Sequence, residues 1–160
     1  VSRYASNSSV SVAQSRAEIE ALISKYGAEQ FFSAWDNTGR AIIGWTMEGR
    51  QVRIAVPLPV PTDPKFTKVD RGIRYESWHD RSPEAARKLW EQACRARWRA
   101  VTLVVKAKLE AVAIGLSTFE SEFLSNIVLP DGSTVGQVMQ PQLEAAYRSG
   151  KMPPLLPRNE

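Results

Sequence analysis

The chain has 160 residues, 43% of them apolar and 24% charged, which suits one ordinary globular domain and excludes wholesale disorder. A single cysteine, Cys94, and a single histidine, His79, exclude an intramolecular disulfide, a multi-cysteine zinc site and every paired-histidine metal motif. The formal charge is +4, and its distribution is uneven: residues 84–110 hold seven basic and three acidic side chains, whereas residues 111–160 hold three and five. Positive charge gathered in the middle of a chain attracts nucleic acid or an acidic protein surface. No apolar run approaches the roughly 18 residues of a membrane helix, and the polar start lacks the apolar core of a secretory signal. A cytoplasmic protein is the expectation, with no membrane partner and no cofactor.

In chain order, residues 1–11 are serine-rich and form a loose lead-in. Ser15 with Glu18 three places on reads as a capping box for a first helix. Ile19, Leu22, Ile23 and Tyr26 share one face of it, and Gly27 stands at the stop. From residue 30 the period becomes two. Residues 30–35, 40–47 and 51–56, separated by turn residues at 36–39 and 48–50, spell an antiparallel meander.

Residues 57–64 hold four prolines and make an extended connection. Residues 66–69 and 73–78 flank Asp70-Arg71-Gly72 and read as a second hairpin, an arm or a loop. Ser82-Pro83-Glu84 then opens a helix with a capping hydroxyl, proline at the first position and a carboxylate near the positive dipole end. It meets no breaker before Gly115. Ser117 with Glu120 restarts a short helix carrying Phe119, Phe123 and Leu124, and residues 127–135 read as a tight hairpin. Thr134 with Gln137 opens a last helix, restarted or kinked at Pro141 and closed at Gly150. Residues 151–160 form an extended tail. The whole reads as one α+β domain over 1–160: a small antiparallel meander packed on a long central helix with shorter helices around it.

At 100° per residue the long helix separates into stripes. Trp90, Cys94, Trp98, Val101, Val105, Leu109 and Val112 form a bulky apolar stripe. Leu89, Ala93, Ala96, Ala100, Val104, Ala107 and Ala111 form a second, mostly small one that permits close approach of another backbone. Two apolar stripes predict contacts on two sides, one with the sheet and one with a helix, either of this chain or of another copy. Between them Lys88, Arg95, Arg99 and Lys106 fall within about 40° of one another. This ridge is either a candidate phosphate contact or a solvated face laced by the four-residue pairs Glu84–Lys88, Glu91–Arg95 and Lys106–Glu110; Arg99 lacks such a pair. Arg50 and Arg53 on the meander, with Arg71 and Arg74 on the possible arm, add cations, and Trp35 and Trp78 are candidate stacking platforms for a single strand. At least half of the aromatics in these segments are expected in the core.

Enzymatic chemistry finds little support in the residues. His79 and Asp80 are neighbours without an accompanying nucleophile elbow, Cys94 sits in the apolar stripe, and no glycine-rich phosphate loop occurs. The expected function is therefore non-enzymatic binding of nucleic acid, single- or double-stranded, through Lys88, Arg95, Arg99, Lys106, Arg50, Arg53, Arg71, Arg74, Trp35 and Trp78. The alternative is a protein-binding or oligomeric module, or an inhibitor of a host factor, that uses the alanine stripe or the proline-rich connection.

Ser15-Arg16-Ala17-Glu18-Ile19-Glu20 with Lys25-Tyr26-Gly27-Ala28, Val52-Arg53-Ile54 with Pro57-Leu58-Pro59, and Trp98-Arg99-Ala100 with Lys106-Ala107-Lys108-Leu109-Glu110-Ala111 carry a resemblance that continues through Thr118-Phe119-Glu120, Glu122-Phe123-Leu124 and Ile127-Val128-Leu129-Pro130-Asp131-Gly132. Over nearly its whole length the chain resembles a family of small proteins of unknown function encoded in phages, prophages and other bacterial mobile elements. The resemblance implies a bacterial cytoplasm in which replication, recombination and counter-defence are the common tasks. It transfers no functional residue.

Overall fold

The computed structural model of the protein describes residues 8–36, 39–69 and 79–151. The architecture is α+β, a three-stranded antiparallel sheet beside one long helix and several short ones. Residues 70–78 of the possible hairpin or arm, with Arg71, Arg74 and Trp78, and the tail beyond Lys151 lie outside the described residues.

Helix α1 spans Val12–Lys25 and begins one turn before the expected Ser15. Ser11 is the cap: its Oγ accepts the Gln14 N–H at 3.0 Å. A serine four residues upstream offers the same cap chemistry, and starting there adds Val12 to the face that packs on the core. Ser15 is instead buried inside the helix with its hydroxyl unpartnered among the described residues.

Strands β1 (Gln30–Trp35), β2 (Arg40–Met47) and β3 (Arg50–Pro57) pair antiparallel in that order. The two residues between β2 and β3, Glu48 and Gly49, have φ of 51° and 68°, the positive values that the tightest hairpin turns require. Alternation then sends Ala41, Ile43, Trp45 and Met47 of β2 and Val52 and Val56 of β3 inward, all buried,. On the opposite face Phe32 lies over Gly44, its cross-strand neighbour; a Cβ there would collide with the Phe32 ring.

After the proline connection, Asp63 and Pro64 cap and open a single helical turn, α2 (Pro64–Thr67), in the segment for which a hairpin, an arm or a loop from residue 66 was the expectation. A capping carboxylate followed by proline favours a helix start over a strand. Strands β4 (Lys68–Val69) and β5 (His79–Asp80) pair antiparallel. The long helix α3 covers Pro83–Ala113, 31 residues, capped by Ser82 as expected. Its inner face buries Cys94, Trp98, Thr102, Val105 and Leu109. The Trp90 indole N–H donates to the Pro59 carbonyl at 2.7 Å and ties the connection to the helix.

Helix α4 (Phe119–Phe123) is capped by Thr118, not by Ser117; the Thr118 hydroxyl accepts the Ser121 N–H at 3.2 Å. Phe123 meets Trp45 edge to face at 5.4 Å between ring centroids, so α4 closes the end of the core. A 3₁₀ turn (Leu124–Asn126) leads to the hairpin, in which Ile127 bridges Val52 and Val128 bridges Thr134. Helix α5 (Val135–Ser149) carries the full capping box of Thr134 and Gln137, runs on through Pro141 and ends at Gly150 in a left-handed conformation. It buries no residue completely.

Candidate interaction surfaces

The cation ridge of α3 is assembled, and much of it is already engaged within the molecule. The Arg99 guanidinium bonds the Glu18 carboxylate of α1, a partner that no spacing along α3 could reveal. Lys88 pairs with Glu84 at 2.9 Å. The Arg95 guanidinium bonds the Gln92 side-chain oxygen and the Ser8 carbonyl, the latter at 3.3 Å, not Glu91; Glu91 sits beside Arg87 at 3.6 Å instead. Glu110 accepts the Tyr26 hydroxyl proton rather than Lys106, and this contact raises the Tyr26 pKa above its ordinary value. Two of the four ridge residues, Arg95 and Arg99, thus tie the N-terminal segment and α1 to α3. The neutral partners of Arg95 leave its charge uncompensated. Among the described residues no carboxylate lies within ion-pair distance of Arg95, Arg97 or Lys106.

The sheet does not collect a stacking platform. Trp35 is 72% exposed, but register places it opposite Ala41, on the face that carries the core, whereas Phe32 stands opposite Gly44 on the other face,. Arg53 shares the Phe32 row through Gly44. Its guanidinium donates to the Gly132 carbonyl at 2.7 Å and the Gln137 side chain at 3.3 Å, clamping the hairpin and the start of α5 onto β3. Arg50 is exposed at the β3 end, on the opposite face parity,. The sequence-predicted cations and aromatics are therefore distributed over several faces.

Two open clefts border the sheet. One, of about 580 Å³, is lined by Ala34, Trp35, Ile42 and Ala55 with Arg40, Arg53 and Gln137, and so brings Trp35 and Arg53 to one cleft. The other, about 600 Å³, lies between Arg50 and the hairpin from Ile127 to Pro130. The described groups lining them include no serine, cysteine or histidine. His79 and Asp80 are consecutive in β5 and so project to opposite sides of that ribbon,. Burial pushes the Cys94 thiol up to about 11, far from the range of a thiolate nucleophile. No cluster of metal-ligating side chains occurs among the described residues.

The most unusual surface is the back of α3. Its buried residues centre on one side of the helix, and directly opposite, where a surface helix ordinarily turns charge to water, stand Leu89, Ala93, Ala96, Ala100, Leu103 and Ala107. These recur at alternating steps of four and three, the spacing of a coiled-coil seam. Val104, Ala111 and the C-cap Ile114 widen the stripe. Leu89 is 40%, Leu103 44%, Val104 50% and Ile114 68% exposed. From Leu89 to Ala107 the stripe runs for about 27 Å at 1.5 Å per residue with no charged side chain in it; the next step of the repeat is Glu110. The alanines Ala93, Ala96, Ala100 and Ala111 of the stripe are half-buried, and α3 packs chiefly on α1, α2, α4 and β3. Leu103 and Ile114 escaped the sequence reading because each lies at the margin of a purely alanine-centred stripe. The 3-4 spacing through Ala96, Ala100, Leu103 and Ala107 recovers Leu103 once the core side of α3 is known,.

No protein-family model, curated protein or solved structure matches this chain. Among the described residues no helix is long and apolar enough to cross a membrane.

Proposed function

We propose that this protein is a non-enzymatic binding module that docks a helix of a partner protein on the outward face of α3. The observation that carries the reading is the uncharged apolar stripe opposite the core. Exposed apolar surface of this continuity costs solubility and marks interaction sites, and regularly spaced anchors on a rigid helix are how helix-to-helix recognition works. Alanine at four of the six seam positions lets a partner backbone approach closely. The context implied by the resemblance, a mobile element in a bacterial cytoplasm, suits a module that captures a host or phage protein.

A neutral helical peptide tests this: leucine and alanine at the same 3-4 spacing, glutamine on the flanks, binding followed by fluorescence anisotropy. Saturable binding is expected, lost in Ala100→Arg while the circular-dichroism melt stays unchanged. A second reading, contact with nucleic-acid phosphate, is favoured by Lys88, Arg95 and Lys106 sharing one flank of α3. It predicts binding of a labelled oligonucleotide that weakens steeply with salt and disappears in Arg95→Glu. That result, with no binding of the peptide, would replace the first reading by the second.

A further inference from the structure

The docking stripe is bordered by positive charge on both sides. Along one border run Lys88, Arg95, Arg99 and Lys106, and along the other Arg97 and Lys108, placed by the 100° step of the helix,. Among the residues of α3, Glu110 is the acid nearest the stripe, and its carboxylate is engaged by Tyr26. Arg99 and Lys108 face Glu18 and Glu122, whereas Arg95, Arg97 and Lys106 have no carboxylate within ion-pair distance among the described residues. The Glu84–Lys88 pair has both side chains about seven-tenths exposed, and such a pair exchanges partners at little cost.

From this arrangement we infer that the occupant of the α3 stripe is an acidic amphipathic helix of another protein, with apolar residues at 3-4 spacing and carboxylates on both flanks. The inference rests on the docking reading above and specifies its partner. Flanking charges of a helix pair decide which partner is accepted and which is refused. A second copy of this chain brings cation against cation in either orientation: a parallel pair sets the Arg95–Lys106 border against Arg97 and Lys108, and an antiparallel pair sets each border against itself. A partner with glutamate or aspartate on its flanks meets attraction on both. The stripe supplies affinity through burial, and the borders supply selection and a faster encounter.

Three peptides of about four heptads, identical in their leucine and alanine seam and carrying glutamate, glutamine or lysine on the flanks, separate the possibilities with the 160-residue chain. The glutamate peptide should bind about tenfold or more tightly than the glutamine peptide, a difference of about 1.4 kcal/mol, and the lysine peptide should bind least. At about 1 M salt, where the screening length falls to roughly 3 Å, the glutamate advantage should shrink below about threefold. Arg97→Glu combined with Lys106→Glu should invert the order, and Leu103→Lys should abolish binding of all three. Equal binding of the three peptides would overturn the acidic preference and leave docking standing. Failure of all three would overturn both readings. A stripe-dependent dimer by light scattering would overturn the inference in favour of a second copy. Binding seen only after deletion of residues 152–160 would overturn it in favour of the chain's own tail, and preferential binding to phosphatidylglycerol vesicles in favour of a lipid surface.

Discussion

The two apolar faces of α3 are nearly opposite one another and differ in what lies against them. The inner face carries Trp98, Val105 and Leu109, buried against the sheet, α1 and α4. The outer face carries half-buried alanines with Leu89, Leu103, Val104 and Ile114, which stand exposed. Apolar periodicity states that a face avoids water, and it does not state whose surface provides the shelter. Side-chain size separates the two more sharply. The inner stripe has indole and branched side chains that fill a three-dimensional core, and the outer has short ones suited to a single cylinder at close range.

The largest effects should come from the inner face. Trp98→Ala should cost roughly 3 to 5 kcal/mol and Leu109→Ala roughly 2 to 5 kcal/mol by denaturant unfolding, whereas Leu103→Ala and Val104→Ala should fall within about 0.5 kcal/mol of wild type. Equal costs on the two faces would break the comparison by showing that something already covers the outer stripe. Overpacking offers an intermediate case: Gly44→Ala, which drives a methyl into the Phe32 ring, should destabilise by roughly 1 to 3 kcal/mol, with the hairpin of β1 and β2 losing hydrogen-exchange protection first.

Chemical reactivity sharpens the same contrast. Cys94, on the inner face with its pKa raised to about 11 by burial, should resist a thiol reagent at pH 8 and react only on unfolding. A cysteine placed at Ala107 on the outer face should react in the native protein at a rate near that of a free thiol. Smaller still is the tie between α1 and α3: a double-mutant cycle on Glu18 and Arg99 should return about 0.2 to 1 kcal/mol, screened by salt.

At the far hairpin the Ser133 hydroxyl and backbone N–H, donating to Asp131 at 2.6 and 2.9 Å, hold its pKa below the ordinary carboxylate value. A depressed folded pKa contributes stability above the unfolded value, and that contribution is lost as pH falls through the folded one. Ser133→Ala should therefore raise the Asp131 pKa in a carboxyl NMR titration and move the acid loss of hairpin protection to higher pH.

Much of the fold is legible in the residues because its signals are local. Ser82-Pro83-Glu84, the Thr134–Gln137 box, Gly150 and the Glu48-Gly49 turn each satisfy a backbone requirement within a few residues, and the meander follows from strict alternation. Competing local signals produced the two errors of boundary: Ser11 and Thr118 each outbid a neighbouring serine of the same chemistry. The candidate surface was legible in part. The alanine stripe stands in the sequence, yet its 3-4 seam with Leu103 and Ile114 emerges only when the core direction of α3 is known.

Sequence alone determined the meander, the starts of α3 and α5, the stop of α5 at Gly150, and that α3 carries two apolar stripes with cations between them, since all of these depend on spacing along one chain. Tertiary structure alone decided that Glu18 answers Arg99, that Phe32 and Trp35 point to opposite faces, and that the sheet, α1 and α4 all gather on one side of α3. Those outcomes depend on how distant segments compete for the same surface. Burial rewards the bulkier stripe more per residue, and the smaller stripe is left facing outward.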